Sequence, residues 1–415
     1  MPEPLHRRRE DCRLCGSKRL SLAFSLAPTP PANAFVSAAD VGSSQPCFPL
    51  DVFFCEACAH LQITDVVDPR VLFGHYVYVS GTSPVFVRHF ETYAAFVIER
   101  FSPPAGGLVL DIGSNDGTLL SFFQRAGFRT LGVDPAQEIS ADATARGIET
   151  ICGFFDPTLA GAILERHGAA SVITANNVFA HVDDLGGVAQ GVRTLLAPDG
   201  IFTFEVSYLG DVVRDTLFDT IYHEHLDYHS VKPLVGFLAA HGLELIDALH
   251  IDTHGGSLRG VAQRAGGPRR VGESVAAMIA EEERRGLDRI ETFRAFAREI
   301  DALGCELASL LRRLKAEGKR IAGFGAPAKA TTLMYHFGLG PDLIDFIVDD
   351  SPLKQGLFSP GLHIPVLPSS VIAERRPDFL LILAWNFARP IIDKNAAFRD
   401  SGGRFIIPIP KIEIV

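Results

Sequence analysis

The chain has 415 residues, enough for two or three domains, and its 47% apolar content with a mean hydropathy of +0.18 is ample for a core in each. A net charge of −10, with no basic run longer than Arg7-Arg8-Arg9, argues against a nucleic-acid partner. No apolar run reaches the roughly 18 residues of a membrane span, and the charged start lacks the apolar stretch of a signal peptide, so no membrane partner and a cytoplasmic setting are expected.

Seven cysteines are present, an odd number spread in a way that suits metal binding better than a disulfide framework. Cys12-Arg-Leu-Cys15 and Cys55-Glu-Ala-Cys58 are two C-x-x-C knuckles on either side of a proline-rich segment. Four thiolates in two such pairs close a tetrahedral zinc site with no position left open for catalysis, so the ion is expected to hold the fold. Redox chemistry at one pair is the competing reading, and Cys47 falls outside the spacing.

Next comes His75-Tyr-Val-Tyr-Val-Ser-Gly-Thr-Ser83, followed by an amphipathic helix from Val85 to Arg100. Tyr76 and Tyr78 alternate as on a strand, so both can line one side of a pocket; packing at a domain boundary with wet hydroxyls explains them equally well.

A short apolar strand, Leu108-Val-Leu110, then delivers Asp111, Gly113, Asn115 and Gly117 into a tight loop ahead of a helix from Thr118 to Ala126. Glycines let backbone approach a ligand, and the helix start offers free N–H groups. The second strand, Thr130-Leu-Gly-Val-Asp134, ends in an acid at the distance used for ribose hydroxyls. A dinucleotide loop runs G-x-G-x-x-G, whereas here a carboxylate leads, which would repel a pyrophosphate but suits the ammonium of S-adenosylmethionine. The methyl donor is therefore favoured over NAD. Further βα units follow, with Phe155 and Asn177 each just past a strand and expected at the adenine and amino-acid parts respectively.

Tyr222-His-Glu-His-Leu-Asp-Tyr-His229 packs three imidazoles, two carboxylates and two phenols into eight residues, too many polar groups to bury without partners or a use. A solvated helix start and a metal pair at His225 and His229 are two readings; the favoured third is acid–base catalysis, with an acid such as Glu224 holding a histidine and a tyrosine beside it. His254-Gly-Gly256 is a glycine turn that can approach the same pocket. Residues 271–319 read as long helices. A second α/β unit begins at Ile321 with the loop Gly323-Phe-Gly-Ala-Pro-Ala-Lys329, without a leading acid but with a lysine at the helix start. Lys329 and backbone N–H groups near Gly325 suit a diphosphate, against the plainer reading of a Rossmann-like domain without ligand. Its next strand ends in Asp349-Asp350.

These pieces predict an α/β chain of four parts: a zinc-binding domain over 1–72, a cofactor-binding domain over 73–268, a helical connector over 269–319 and a Rossmann-like domain over 320–415. The whole chain resembles the sugar C-methyltransferases that act on nucleotide-linked keto-deoxysugars. The resemblance rests on the four cysteines, Thr29-Pro-Pro-Ala-Asn-Ala-Phe35, Tyr76-Val-Tyr78, Asp111-Ile-Gly-Ser-Asn-Asp-Gly117, Tyr222-His-Glu-His225, His254-Gly-Gly256, the Gly323–Lys329 loop and Ala384-Trp-Asn386. It implies a class I S-adenosylmethionine domain in the middle and a nucleotide sugar, often dTDP-linked, anchored on the C-terminal domain. It also implies that Tyr222, Glu224 and His225 lie at the reacting carbon. Tyr78, His181, His254, Gly325, Lys329, Asp349 and Asn386 are the expected substrate-side residues.

Carbon becomes a nucleophile only after losing a proton, and a neighbouring ketone spreads the resulting charge onto oxygen. His225 is the expected base, with Glu224 to orient it or stabilise its imidazolium, Tyr222 as oxyanion donor or relay and Tyr76 as helper; sequence alone leaves Tyr222 and His225 able to exchange roles. O- or N-methylation, an NAD-linked sugar oxidoreductase and a non-catalytic sugar-nucleotide binder are the alternatives.

Overall fold

The computed structural model describes residues 5–68, 71–72, 84–253 and 255–415. Tyr76, Tyr78 and His254 lie outside the described residues.

Three sheets carry the chemistry. The first is four-stranded and antiparallel, ordered Asp227–Tyr228, Leu61–Ile63, Phe48–Cys55, Leu20–Thr29. Along Phe48–Cys55 burial alternates residue by residue, as a strand with one face on a core requires. Its edge strand is not local: Asp227–Tyr228 comes from the far side of the cofactor domain and immediately follows the Tyr222–His225 segment.

The second sheet has seven strands. Five are parallel neighbours, Thr150–Cys152, Arg129–Asp134, Leu108–Ile112, Ala170–Asn176 and Leu196–Ser207, and an antiparallel hairpin, Ser257–Arg264 with Leu243–Ile251, completes the edge. Leu108–Ile112 is buried along its whole length, which is why it reads as an unbroken apolar run ending in a single acid. Helices Pro84–Phe101 and Thr118–Arg125 cover one face, where Tyr93, Val97, Leu119, Leu120 and Phe123 pack on Val109 and Val172.

The connector is two helices, Glu273–Arg284 and Ile290–Ala316. In the longer one Phe293, Phe296, Ile300, Leu303, Leu307, Leu311 and Leu314 recur every three or four residues and all are buried. The third sheet orders Val366–Leu367, Ile347–Val348, Ile321–Phe324, Phe379–Ile382 and Arg404–Ile407 in parallel, with Glu413–Ile414 antiparallel at the edge. The long connector helix packs its apolar stripe on both the first sheet and the third, so one continuous core includes Leu50, Phe54, Phe218, Phe293, Leu333 and Ile406.

Candidate active site

The four knuckle cysteines converge. Cys12 Sγ stands 3.6 Å from Cys58 Sγ and Cys15 Sγ 3.6 Å from Cys55 Sγ, with all four sulfurs within 4.8 Å of one another. A disulfide needs about 2 Å, whereas thiolates about 2.3 Å from a tetrahedral zinc stand about 3.8 Å apart, so the set fits zinc and not a pair of disulfides. Among the described residues no other group of three or more His, Cys, Asp or Glu side chains is placed for a metal. The metal reading of His225 and His229 is therefore corrected: His229 lies buried with its ring stacked on Phe179 at 5.7 Å, while His225 turns to other partners.

At the first glycine loop, Gly113, Asn115 and Gly117 all hold positive φ, at 70°, 49° and 75°. A Cβ on Gly113 would collide with Val178 and one on Gly117 would stand 2.8 Å from Ile148, so both glycines serve chain packing as well as turn geometry. Asp134 clamps the loop: its Oδ2 accepts the Asn115 N–H at 2.9 Å and its Oδ1 the Ala136 N–H at 2.9 Å. Asp111 is buried and accepts a hydrogen bond from Thr174, and burial, with Asp134 nearby, pushes its carboxyl up to about 7. A cation set against it, such as an α-ammonium, would draw it back to the ionised form. Asn177 is exposed in the left-handed region (φ 54°) at the end of Ala170–Asn176, whereas Phe155 is 7% exposed and its ring lies against Gly191. One residue was missed: both polar atoms of the Asn176 amide are buried without a partner among the described residues. Period-two alternation puts Asn176 on the Asp111-facing side with Thr174, a signal that separates it from its neighbour. An orphaned donor and acceptor beside a buried acid fit the zwitterionic end of S-adenosylmethionine.

The Tyr222–His225 segment forms a tight turn in which His225 N–H bonds to the Tyr222 carbonyl at 2.8 Å. The His225 Nδ1–H donates to the Thr220 carbonyl at 2.7 Å, which leaves Nε2 as the lone-pair nitrogen. Its ring stands 4.1 Å from that of Tyr222 and 4.7 Å, edge-on, from that of His181. Burial lowers His225 to about 4 and His181 to about 3, so both are neutral at pH 7. The expectation that Glu224 orients His225 is corrected, because the Thr220 carbonyl does so. Glu224 points instead toward the first domain, where its Oε1 accepts from Asn33 Nδ2 at 2.9 Å; burial raises its carboxyl to about 7. Asn33, inside Thr29–Phe35, is thus a second missed residue, and its segment was the available signal.

All three domains hold this turn in place. Leu226 N–H bonds to the Ala180 carbonyl of the cofactor domain and Ile63 N–H to the Leu226 carbonyl. From the helix Lys329–Phe337, Thr332 donates to the Ile221 carbonyl at 2.9 Å and Thr331 to the Ala32 carbonyl at 3.0 Å.

The second glycine loop copies the first. Gly325 N–H goes to Val348 as Gly113 N–H goes to Val133, and Asp349 accepts from Ala326 N–H at 2.6 Å and Ser351 N–H at 2.8 Å, as Asp134 does from Asn115 and Ala136. Gly325 therefore has no spare N–H of its own for a diphosphate, while Lys329 supplies a cation at the start of the next helix. Lys329 Nζ donates to Asn386 Oδ1 at 2.8 Å and sits 3.4 Å over the Trp385 ring, and burial lowers it to about 8 against the pull of Asp219. Gly255 lies close to this group, since a Cβ there would stand 3.7 Å from Trp385.

Family models match in three consecutive parts: a zinc binding domain over residues 12–73, a methyltransferase domain over 86–248 and a C-methyltransferase C-terminal domain over 252–410. The C-methyltransferase NovU of Streptomyces niveus is 38% identical over 406 residues, covering 98% of this chain and 97% of its own. A ubiquinone biosynthesis O-methyltransferase of Colwellia psychrerythraea is 25% identical over 192 residues, 43% of this chain and 78% of its own. Among solved structures, a S-adenosylmethionine-dependent methyltransferase from Clostridium acetobutylicum aligns with 48% of this chain and 96% of its own at 12% identity and a TM-score of 0.35. With a near-full-length relative at that identity and a model matched in each part, the chain belongs to the C-methyltransferase family, as a S-adenosylmethionine-dependent enzyme with a four-cysteine zinc-binding domain.

Proposed function

We propose that this enzyme methylates a carbon next to a ketone in a nucleotide-linked deoxysugar, with dTDP-linked sugars the first class to test. The observation that carries the reading is the half-buried cluster of Tyr222, His225 and His181 around an imidazole whose tautomer is fixed. His225 Nε2 takes the proton from the carbon, and the electrons of that C–H bond move into the enolate. Tyr222 donates to the developing oxyanion, and Glu224, held by Asn33 and pushed toward its protonated form, keeps negative charge from building up beside it. His181 stays neutral and, with Tyr222, shields the base from water. Thr220 stabilises the imidazolium through the Nδ1–H bond, and the proton passes to solvent after transfer. Held at Asp111, Asn176 and the Gly113–Gly117 loop, S-adenosylmethionine supplies an electrophilic sulfonium methyl for the enolate carbon. Lys329 and Asn386 hold the nucleotide diphosphate.

A base acting on carbon must exchange that carbon's hydrogen. In heavy water with S-adenosylhomocysteine and a dTDP-linked 4-keto-6-deoxysugar, deuterium should enter beside the ketone, and His225→Ala should abolish the exchange. A bound sugar with no incorporation would instead indicate methylation on oxygen or nitrogen.

A further inference from the structure

Asp219 is the group this mechanism leaves unused. It sits in the 3-10 turn Phe218–Thr220, fully buried, with Oδ2 accepting the Trp385 indole N–H at 2.6 Å. Its Oδ1 is also buried and makes no hydrogen bond of normal geometry among the described residues, with only the Asp219 and Thr220 backbone N–H groups near the carboxylate. A buried carboxylate oxygen without a donor is costly, of the order of 1–3 kcal/mol or more, and calls for a ligand that supplies one. The place is informative. On one side stand Lys329 and Asn386; on the other, the next residue is Thr220, whose carbonyl fixes His225. Asp219 therefore lies between the diphosphate anchor and the base, the stretch a sugar ring must span if both ends of the proposed substrate are held at once.

We propose that Asp219 is a substrate-binding residue, its Oδ2 fixed by Trp385 and its Oδ1 accepting a hydrogen bond from a hydroxyl of the sugar that Lys329 and Asn386 anchor. This inference rests on the nucleotide-sugar reading above. It makes the Asp219–Trp385 pair the reader of the sugar, while Lys329 reads the diphosphate common to all such ligands.

Charge alone predicts the opposite effect from the hydrogen bond, which gives the test its power. Asp219→Asn removes a negative charge close to Lys329, so any ligand held only by its diphosphate should bind as well or better. Loss of a charge-assisted bond to a hydroxyl should instead weaken the complete nucleotide sugar about 10-fold or more. Calorimetric titration of wild type, Asp219→Asn and Asp219→Ala with dTDP and with a dTDP-linked 4-keto-6-deoxysugar separates the two. S-adenosylhomocysteine affinity on the same preparations checks the fold. The expected result is selective weakening of the sugar nucleotide in both variants, with dTDP unchanged or tighter. Weakening of both ligands alike would overturn the sugar contact, since the group lost would be one that dTDP shares. Unchanged binding of the sugar nucleotide in variants that still bind S-adenosylhomocysteine would overturn the proposal while the nucleotide-sugar reading stood; wild type that binds neither nucleotide would overturn that reading itself. Trp385, the chain's single tryptophan, offers a parallel fluorescence readout under the Lys329 ammonium.

Discussion

Glu224 has an ordinary value of 4.5 in the unfolded chain and about 7 when folded, because burial penalises its charge more than the Asn33 hydrogen bond rewards it. The folded state keeps a proton that the unfolded chain has already released, so this residue costs stability increasingly as pH rises from about 4.5 through about 7. Glu224→Gln should therefore raise the unfolding free energy by about 3 kcal/mol at pH 8 and by less than about 1 kcal/mol at pH 5, measured by denaturant titration at both. Turnover of Glu224→Gln, which stays neutral, should persist at pH 8, where the wild-type carboxyl ionises. His225 and His181 work in the other direction: both are held neutral, so the stability they retain above about 6.5 is lost as pH falls. Asn33→Ala removes the bond that opposes burial at Glu224 and should move the basic limb of the kcat profile to higher pH. The identities of these residues were legible from their density in one short segment. Their partners were not, because Asn33 and Thr220 are set by a turn that sends Glu224 one way and His225 the other.

At the scale of elements, the catalytic turn is fixed by its continuation as a strand. Asp227–Tyr228 pairs with Leu61–Ile63, which begins immediately after the second knuckle's Cys58-Ala59-His60, and His60 Nε2 meets Asp227 Oδ1 at 2.6 Å with both side chains fully buried. His60→Ala leaves that buried carboxylate with only Arg13, 3.9 Å from its Oδ2, and should cost about 2–3 kcal/mol in chemical unfolding, more than Asp227→Asn, which keeps an acceptor for the imidazole. The paired glycine loops invite a matched test. Asp134→Asn loosens the clamp on the first loop and should weaken S-adenosylhomocysteine with little effect on nucleotide binding, and Asp349→Asn should do the reverse, both by calorimetry. Each loop was readable as strand, glycines and helix. The clamp was not, since a carboxylate at a strand end looks the same in sequence whether it faces a ribose or its own loop.

Across the whole molecule the boundaries visible in composition do not divide the packing. The apolar stripe of Ile290–Ala316 is shared by the first sheet and the C-terminal sheet, and Asp183, beyond the parallel strand Ala170–Asn176, is held by Arg7, Arg9 and Arg13 of the zinc-binding part. Sequence periodicity shows that a helix has an apolar face but not which two sheets that face will join, so the chain read as separable pieces where it folds as interlocked ones. Zinc removal distinguishes the two pictures. A separable zinc domain would melt alone after chelation and leave the remaining calorimetric transition in place. In this architecture the knuckles hold the strand that carries the catalytic turn, and the same core continues through the connector, so loss of the ion must weaken a single cooperative unit. Chelation under unfolding-permissive conditions should lower the main transition by about 10 °C or more without creating a separate early one, and activity should decay along that shifted melting curve.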